Sequence, residues 1–100
     1  MSYEGWGNYE TWLVNSWLGS EPEERNYWYN AAKTAIAIYN KEAAIAKMTV
    51  RMKQFYREEM PRVPEVSGLY LYLLDAVLDM VNWREISENF VEIALADEEG

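Results

Sequence analysis

Ser20-Glu21-Pro22-Glu23-Glu24-Arg25-Asn26-Tyr27-Trp28 opens the stretch that decides the fold. It reads as a capping box: a cap serine, a proline in the first turn, and a glutamate three residues after the cap. Beyond Pro22, neither glycine nor proline occurs before Pro61. Trp28, Ala31, Ala35 and Ile38 recur at helical spacing, and so do Ile45, Met48, Met52 and Phe55. Asn40-Lys41-Glu42 interrupts the apolar pattern between these two stripes. One straight helix over the whole stretch would be roughly 60 Å long, against a radius of gyration of about 13 Å for a domain of this size. The stretch therefore predicts two helices, or one bent helix, with the change of direction near Tyr39–Lys41.

Working toward the amino end, Gly5 to Gly19 holds three of the five tryptophans. Asn8 is a good N-cap and Glu10 an anion in the first turn, so a helix is expected from about Tyr9 to Leu18, stopping at Gly19. Tyr9, Leu13, Ser16 and Trp17 share one face of it, with Trp17 assigned to the core. Not all these rings can point into one core, so at least one of them, with Trp6, is expected half-buried in a groove or at an interface, and the exposure of Trp6 and Trp12 is left open.

Toward the carboxyl end, Pro61-Arg62-Val63-Pro64 marks a loop, because two prolines three apart cannot sit inside a helix. Ser67 is then expected to cap a helix over about Gly68 to Val81. Its apolar residues cover nearly the whole circumference, leaving Tyr72, Asp75, Asp79 and Asn82 as a narrow polar line. That pattern predicts a central helix packed on most sides. Asn82-Trp83-Arg84-Glu85 repeats the capping-box logic ahead of a last helix to about Leu95. Its buried stripe is Trp83, Ile86, Phe90, Ile93 and Ala94, with Glu85, Glu88, Asn89 and Glu92 facing water. The 100 residues thus read as one all-α domain, a compact bundle of four to five helices.

Composition narrows the function classes. Half the residues are apolar, enough for a core, and there is neither cysteine nor histidine. A disulfide framework and a zinc–thiolate site are excluded, and the commonest general base and metal ligand are missing. No apolar run approaches the roughly 20 residues of a membrane span. Met1-Ser2-Tyr3-Glu4 lacks the features of a signal peptide. A soluble, intracellular protein is expected.

The net charge of −8 is unevenly spread. Residues 1–24 carry five acids and no base, residues 25–57 seven bases and only Glu42, and residues 58–100 eleven acids against Arg62 and Arg84. Two readings follow: opposite charges meet on folding or solubilise the surface, or an acidic face imitates nucleic acid or docks on a basic partner.

No residue set stands out as catalytic, cofactor-binding or metal-ligating, so the chain reads as a non-enzyme. Asp75 and Asp79 stand one helical turn apart, as metal or acid/base carboxylates can, but a solvated helix strip explains them as well. Gly5 and Gly7 make only G-x-G, without a preceding strand. Glu85, Glu88 and Glu92, with Asp97, Glu98 and Glu99 of the tail and the aromatics Trp6 and Trp12, form the candidate partner-binding set. Lys47, Arg51, Lys53 and Arg57, beside Phe55 and Tyr56, form the alternative, a nucleic-acid contact.

Asn8-Tyr9-Glu10-Thr11-Trp12, followed by Val14, Trp17 and Leu18, resembles the opening of a family of short proteins common in bacteriophages and other mobile elements. Ser67-Gly68-Leu69, Leu74-Asp75-Ala76, Leu78 and Val81-Asn82-Trp83-Arg84-Glu85-Ile86 resemble the same family's ending. The resemblance carries no catalytic residue and implies an origin: a viral or plasmid gene expressed in the cytoplasm of a prokaryotic host. With the acidic composition, it leads to an expected inhibitor of a host protein or ribonucleoprotein defence complex, of the anti-CRISPR or anti-restriction type. Such a DNA mimic would set carboxylates where a nucleic-acid groove expects phosphates, with no membrane and no direct nucleic-acid contact. The alternative is a small DNA- or RNA-binding regulator, and homodimerisation is left open.

Overall fold

Five α-helices carry the described residues, 3–58 and 68–99, in a computed structural model. They are α1 (Tyr9–Ser20), α2 (Pro22–Ile38), α3 (Lys41–Glu58), α4 (Gly68–Met80) and α5 (Trp83–Glu99). The fold is all-α, as the spacing of apolar residues predicts. The proline loop at 61–64 and the cap at Ser67 lie outside the described residues.

The helix boundaries follow local chemistry. Asn8 is extended and its Oδ1 accepts the Thr11 N–H, which starts α1. Ser20, however, does not cap α2. It is the last residue of α1, and its hydroxyl donates to the Trp17 carbonyl at 2.9 Å. Glu21 takes the cap position without a side-chain hydrogen bond, and Pro22 supplies the preset φ of the first turn. The bend near Tyr39–Lys41 is a full break: α2 ends at Ile38, and Asn40 Oδ1 accepts the Ala43 N–H at 2.8 Å to start α3.

The core lies where α5 packs on α3 and α2. Trp28 and Ala32 of α2, Ala44, Ile45, Met48 and Met52 of α3, and Ile86, Phe90, Val91 and Ala94 of α5 are buried there, with Leu18 of α1. Trp28 is fully enclosed and meets Tyr27 and Phe55 edge-on. Removing an indole of this size from water contributes about 4–6 kcal/mol before the entropy of ordering it. Its N–H donates to the Tyr56 hydroxyl at 2.8 Å, which in turn donates to Glu24. Tyr56 also stacks on Trp83, ring centroids 5.5 Å apart. Burial, then the bond to Glu24, raises the Tyr56 pKa far above the ordinary tyrosine value.

Three expectations about facing need correction. Trp17 is 48% exposed, and Leu13 and Tyr9 lie open beside it. Thr11 and Leu18 are the buried residues of α1 instead, because the cap at Asn8 fixes which side of the helix meets α5. On α5, Ile93 is exposed, while Ser87 and Val91 are buried.

The largest departure is α4, which is not a central helix. Leu69, Tyr72, Leu73, Leu74, Val77 and Met80 are all exposed. Of the polar line, Asp75 and Asp79 meet Arg57 of α3, Asp75 at 2.5 Å, whereas Tyr72 is 79% exposed. The three side chains are 36%, 46% and 55% exposed, so the clamp is a solvent-screened contact, and the half-buried Leu71 and Leu78 lie on the same side of the helix as Asp75.

Candidate functional site

The two strings Asn8–Trp12 and Val81–Ile86 meet in space. Asn8 Nδ2 donates to the Met80 carbonyl at 2.7 Å, while its Oδ1 also accepts the Thr11 hydroxyl at 2.6 Å. Thr11 Oγ1, fully buried, accepts the Asn82 N–H at 2.8 Å. Asn82 Oδ1 accepts the Glu85 N–H at 3.1 Å, so Asn82 caps α5 as its sequence position predicts. Glu85 does not complete the capping box. Its two carboxylate oxygens accept the Gly7 N–H at 2.9 and 3.0 Å. A Cβ on Gly7 would lie 3.1 Å from Glu85 Oε1, so only glycine admits the carboxylate this closely without a shift. The arrangement is a latch between the start of α1 and the α4–α5 junction. The Thr11 side of it carried no singled-out signal in the sequence; the cap at Asn8, three residues earlier, was the available pointer.

Just before the latch, Tyr3 and Trp6 exchange backbone hydrogen bonds at 2.6 and 2.8 Å across Glu4 and Gly5. Both intervening residues have positive φ, 50° and 89°, which suits Gly5 and sets a tight reverse turn. The turn lays the Tyr3 ring against Tyr9 and Trp12, 5.1 and 4.9 Å between centroids. Trp12 is thereby half-buried under tyrosines. Trp6, also half-buried, joins Gly5, Glu85, Glu88, Asn89 and Glu92 around a shallow groove of about 340 Å³.

The candidate partner-binding set is thus divided. Trp6, Glu85, Glu88 and Glu92 share the groove, whereas Trp12 packs against Tyr3 and Tyr9. Glu85 is committed to the latch, and Glu92 lies 3.5 Å from Lys41 in an exposed pair. Glu88 has no ion-pair partner among the described residues. Asp97 accepts the Tyr29 hydroxyl, which raises the pKa of that phenol, and Glu98 is exposed. The side chain of Glu99 lies outside the described residues.

The basic set divides too. Lys47 and Arg51, one turn apart on α3, border a second groove of about 460 Å³ between α2 and α3, floored by Ala31, Ala35 and Met48. Lys47 sits 4.7 Å above the Tyr39 ring, and Arg51 donates to the Tyr27 hydroxyl at 2.6 Å. Neither cation has a carboxylate partner among the described residues. Arg57 is held by Asp75 and Asp79, and Lys53 is exposed away from the groove lining. The two aspartates are therefore a clamp on an arginine, and among the described residues no cluster of three or more acidic side chains is arranged to hold a metal ion. No helix is long and apolar enough, among the described residues, to cross a membrane. Comparison with protein-family models, curated proteins and solved structures finds no match to this chain.

Proposed function

We propose that the chain is a non-enzymatic phage or mobile-element protein that binds and inhibits a host defence complex of the anti-CRISPR or anti-restriction type. Its acidic α5 face would occupy a lysine- and arginine-lined nucleic-acid groove in the cytoplasm of a prokaryotic host. The carrying observation is that Glu85, Glu88 and Glu92 line one groove with Trp6. Glu88 offers an unpaired carboxylate, and the exposed Glu92–Lys41 pair is weak enough to exchange for a stronger cation. The latch fixes Glu85 and with it the turn that carries Trp6, so the rim is preorganised. A net charge of −8 steers such a surface toward a basic cleft.

The test is competition: a defence nuclease of the host, loaded with labelled nucleic acid, is titrated with this protein. Release of the label is expected, weakening as salt rises. Glu88→Lys with Glu92→Lys should abolish it while leaving the far-ultraviolet circular dichroism unchanged. Undiminished release by that double variant would sink the acidic-face reading.

A second reading is favoured by one observation, the unpaired Lys47 and Arg51 beside Tyr27 and Tyr39. It makes the chain a small DNA- or RNA-binding regulator. Salt-sensitive binding to free nucleic acid, lost in Lys47→Glu with Arg51→Glu, would select it over inhibition.

A further inference from the structure

The groove between α2 and α3 combines an apolar floor with a cation toward each end. Ala31, Ala35 and Met48 form the floor, and the neutral Asn30 and Thr34 line it from α2. From Tyr27 to Ile38 it runs about 17 Å along α2, the length of three helical turns. Lys47 and Arg51 leave α3 one turn apart, but their charged groups diverge. Lys47 Nζ lies 4.7 Å from the centre of the Tyr39 ring, and the Arg51 guanidinium 5.6 Å from that of Tyr27, toward the opposite end. Neither cation meets a carboxylate among the described residues, in a chain whose net charge is −8.

We infer that this groove docks an amphipathic helix of a partner protein, about three turns long, with a carboxylate near each end and apolar side chains between them. Charge complementarity selects that occupant. Two separated cations without acidic partners attract a ligand that carries two separated anions. A compact anion such as a single phosphate would satisfy only one of them. A nucleic-acid strand would place charge along its whole length, including over the apolar floor, where nothing offsets it. Its bases would also find the rings engaged: Phe55 stacks on Tyr27 with centroids 5.8 Å apart, and the two cations lie over Tyr27 and Tyr39. Apolar side chains of a helix suit the floor of Ala31, Ala35 and Met48 instead. The inference therefore stands against the nucleic-acid reading of Lys47 and Arg51. It does not rest on the acidic-groove reading, whose residues lie on α5 and the amino-terminal turn.

The probe is a fluorescein-labelled, alanine-based helical peptide of about 16 residues, with two glutamates two turns apart and leucines between them on the same face. Fluorescence anisotropy with the full chain should show saturable, micromolar binding that weakens as salt rises. The same peptide with lysines in place of the glutamates should not bind. Lys47→Glu with Arg51→Glu should weaken the glutamate peptide by about tenfold or more and admit the lysine peptide instead. Thr34→Trp, at an exposed position lining the groove, should obstruct the peptide without altering either cation. Far-ultraviolet circular dichroism should be unchanged in both variants. A wild-type chain that ignores the glutamate peptide overturns the inference. So does undiminished binding in the charge-reversed chain or in Thr34→Trp, or equal affinity for the two peptides. A single-stranded oligonucleotide that displaces the peptide at lower concentration would assign the groove to nucleic acid and refute the helix. Failure of the acidic-groove reading would show elsewhere, in nuclease release read through Glu88 and Glu92.

Discussion

α3 and α4 behave in opposite ways, although α4 is the more apolar of the two. α3 buries Ala44, Ile45, Met48 and Met52 against α5 and α2, and puts its lysines and arginines in water. α4 turns its carboxylates toward Arg57, keeps Leu71 and Leu78 half-buried, and leaves Leu69, Leu73, Leu74, Val77 and Met80 exposed. In α3 the apolar stripe is narrow, so one orientation satisfies both the stripe and the charges. In α4, Leu71 and Leu78 lie half-buried on the same side of the helix as Asp75, while most of its other apolar residues stay in water. The Arg57 clamp marks that side as a screened contact beside the packing.

The sharpest way to break the contrast is to cut both helices' apolar residues to alanine. Ile45→Ala or Met52→Ala should lower the unfolding free energy by about 2–5 kcal/mol in urea titration. Leu73→Ala should change the monomer's stability by less than about 0.5 kcal/mol. Equal losses at Met52 and Leu73 would show that α4 is packed like α3.

The latch, which ties α1 to the α4–α5 junction, comes next. Thr11→Val removes the acceptor of the Asn82 N–H and the donor to Asn8. A loss of about 1–3 kcal/mol is expected in the same titration. Gly7→Ala should act in the same direction by displacing the Glu85 carboxylate; an unchanged midpoint for both would mean that the latch holds nothing.

The alkaline pH response tests Tyr56, which packs against the core, while Tyr29, bonded to Asp97, is raised in the same direction at an exposed position. Tyr56 has a folded-state pKa raised above the unfolded value near 10, chiefly by burial and then by its bond to Glu24. The folded chain thus keeps this proton longer. The resulting stabilisation is complete below about pH 10 and declines as the pH rises above it. In Tyr56→Phe the alkaline fall in thermal midpoint should be shallower than in the wild type. An identical slope would place Tyr56 in contact with water.

The smallest effect is at Ser87, whose buried hydroxyl has no hydrogen-bond partner among the described residues. Ser87→Ala should leave stability unchanged or raise it by up to about 1 kcal/mol. A loss would reveal a partner for that hydroxyl.

How far the sequence was legible tracks the same contrast. Asn8, Pro22 and Asn82 act within a turn of themselves, so their helix starts could be read locally. The break at Asn40 was placed from the lapse of the apolar stripe, although the cap chemistry of Asn40 was an equally good sign. Ser20 misled because a serine hydroxyl can serve the carbonyl behind it as well as the N–H ahead. The facing of α4 and the exposure of Trp17 depend on partners far along the chain, Arg57 and the Asn82 junction, which no local pattern announces. For the candidate site, the acidic row on α5 was visible as spacing. That Trp6 joins it, that Glu85 is spent on Gly7, and that Arg57 leaves the basic set required the tertiary contacts.

Native-state amide hydrogen exchange tests the central contrast most directly. Amides in α2, α3 and α5 should exchange only through global unfolding, with one common free energy. Those of α4, held by the Arg57 clamp and the latch, should open at a distinctly lower free energy at protein concentrations where the chain is monomeric. Protection of α4 equal to that of α3 under those conditions would contradict the account.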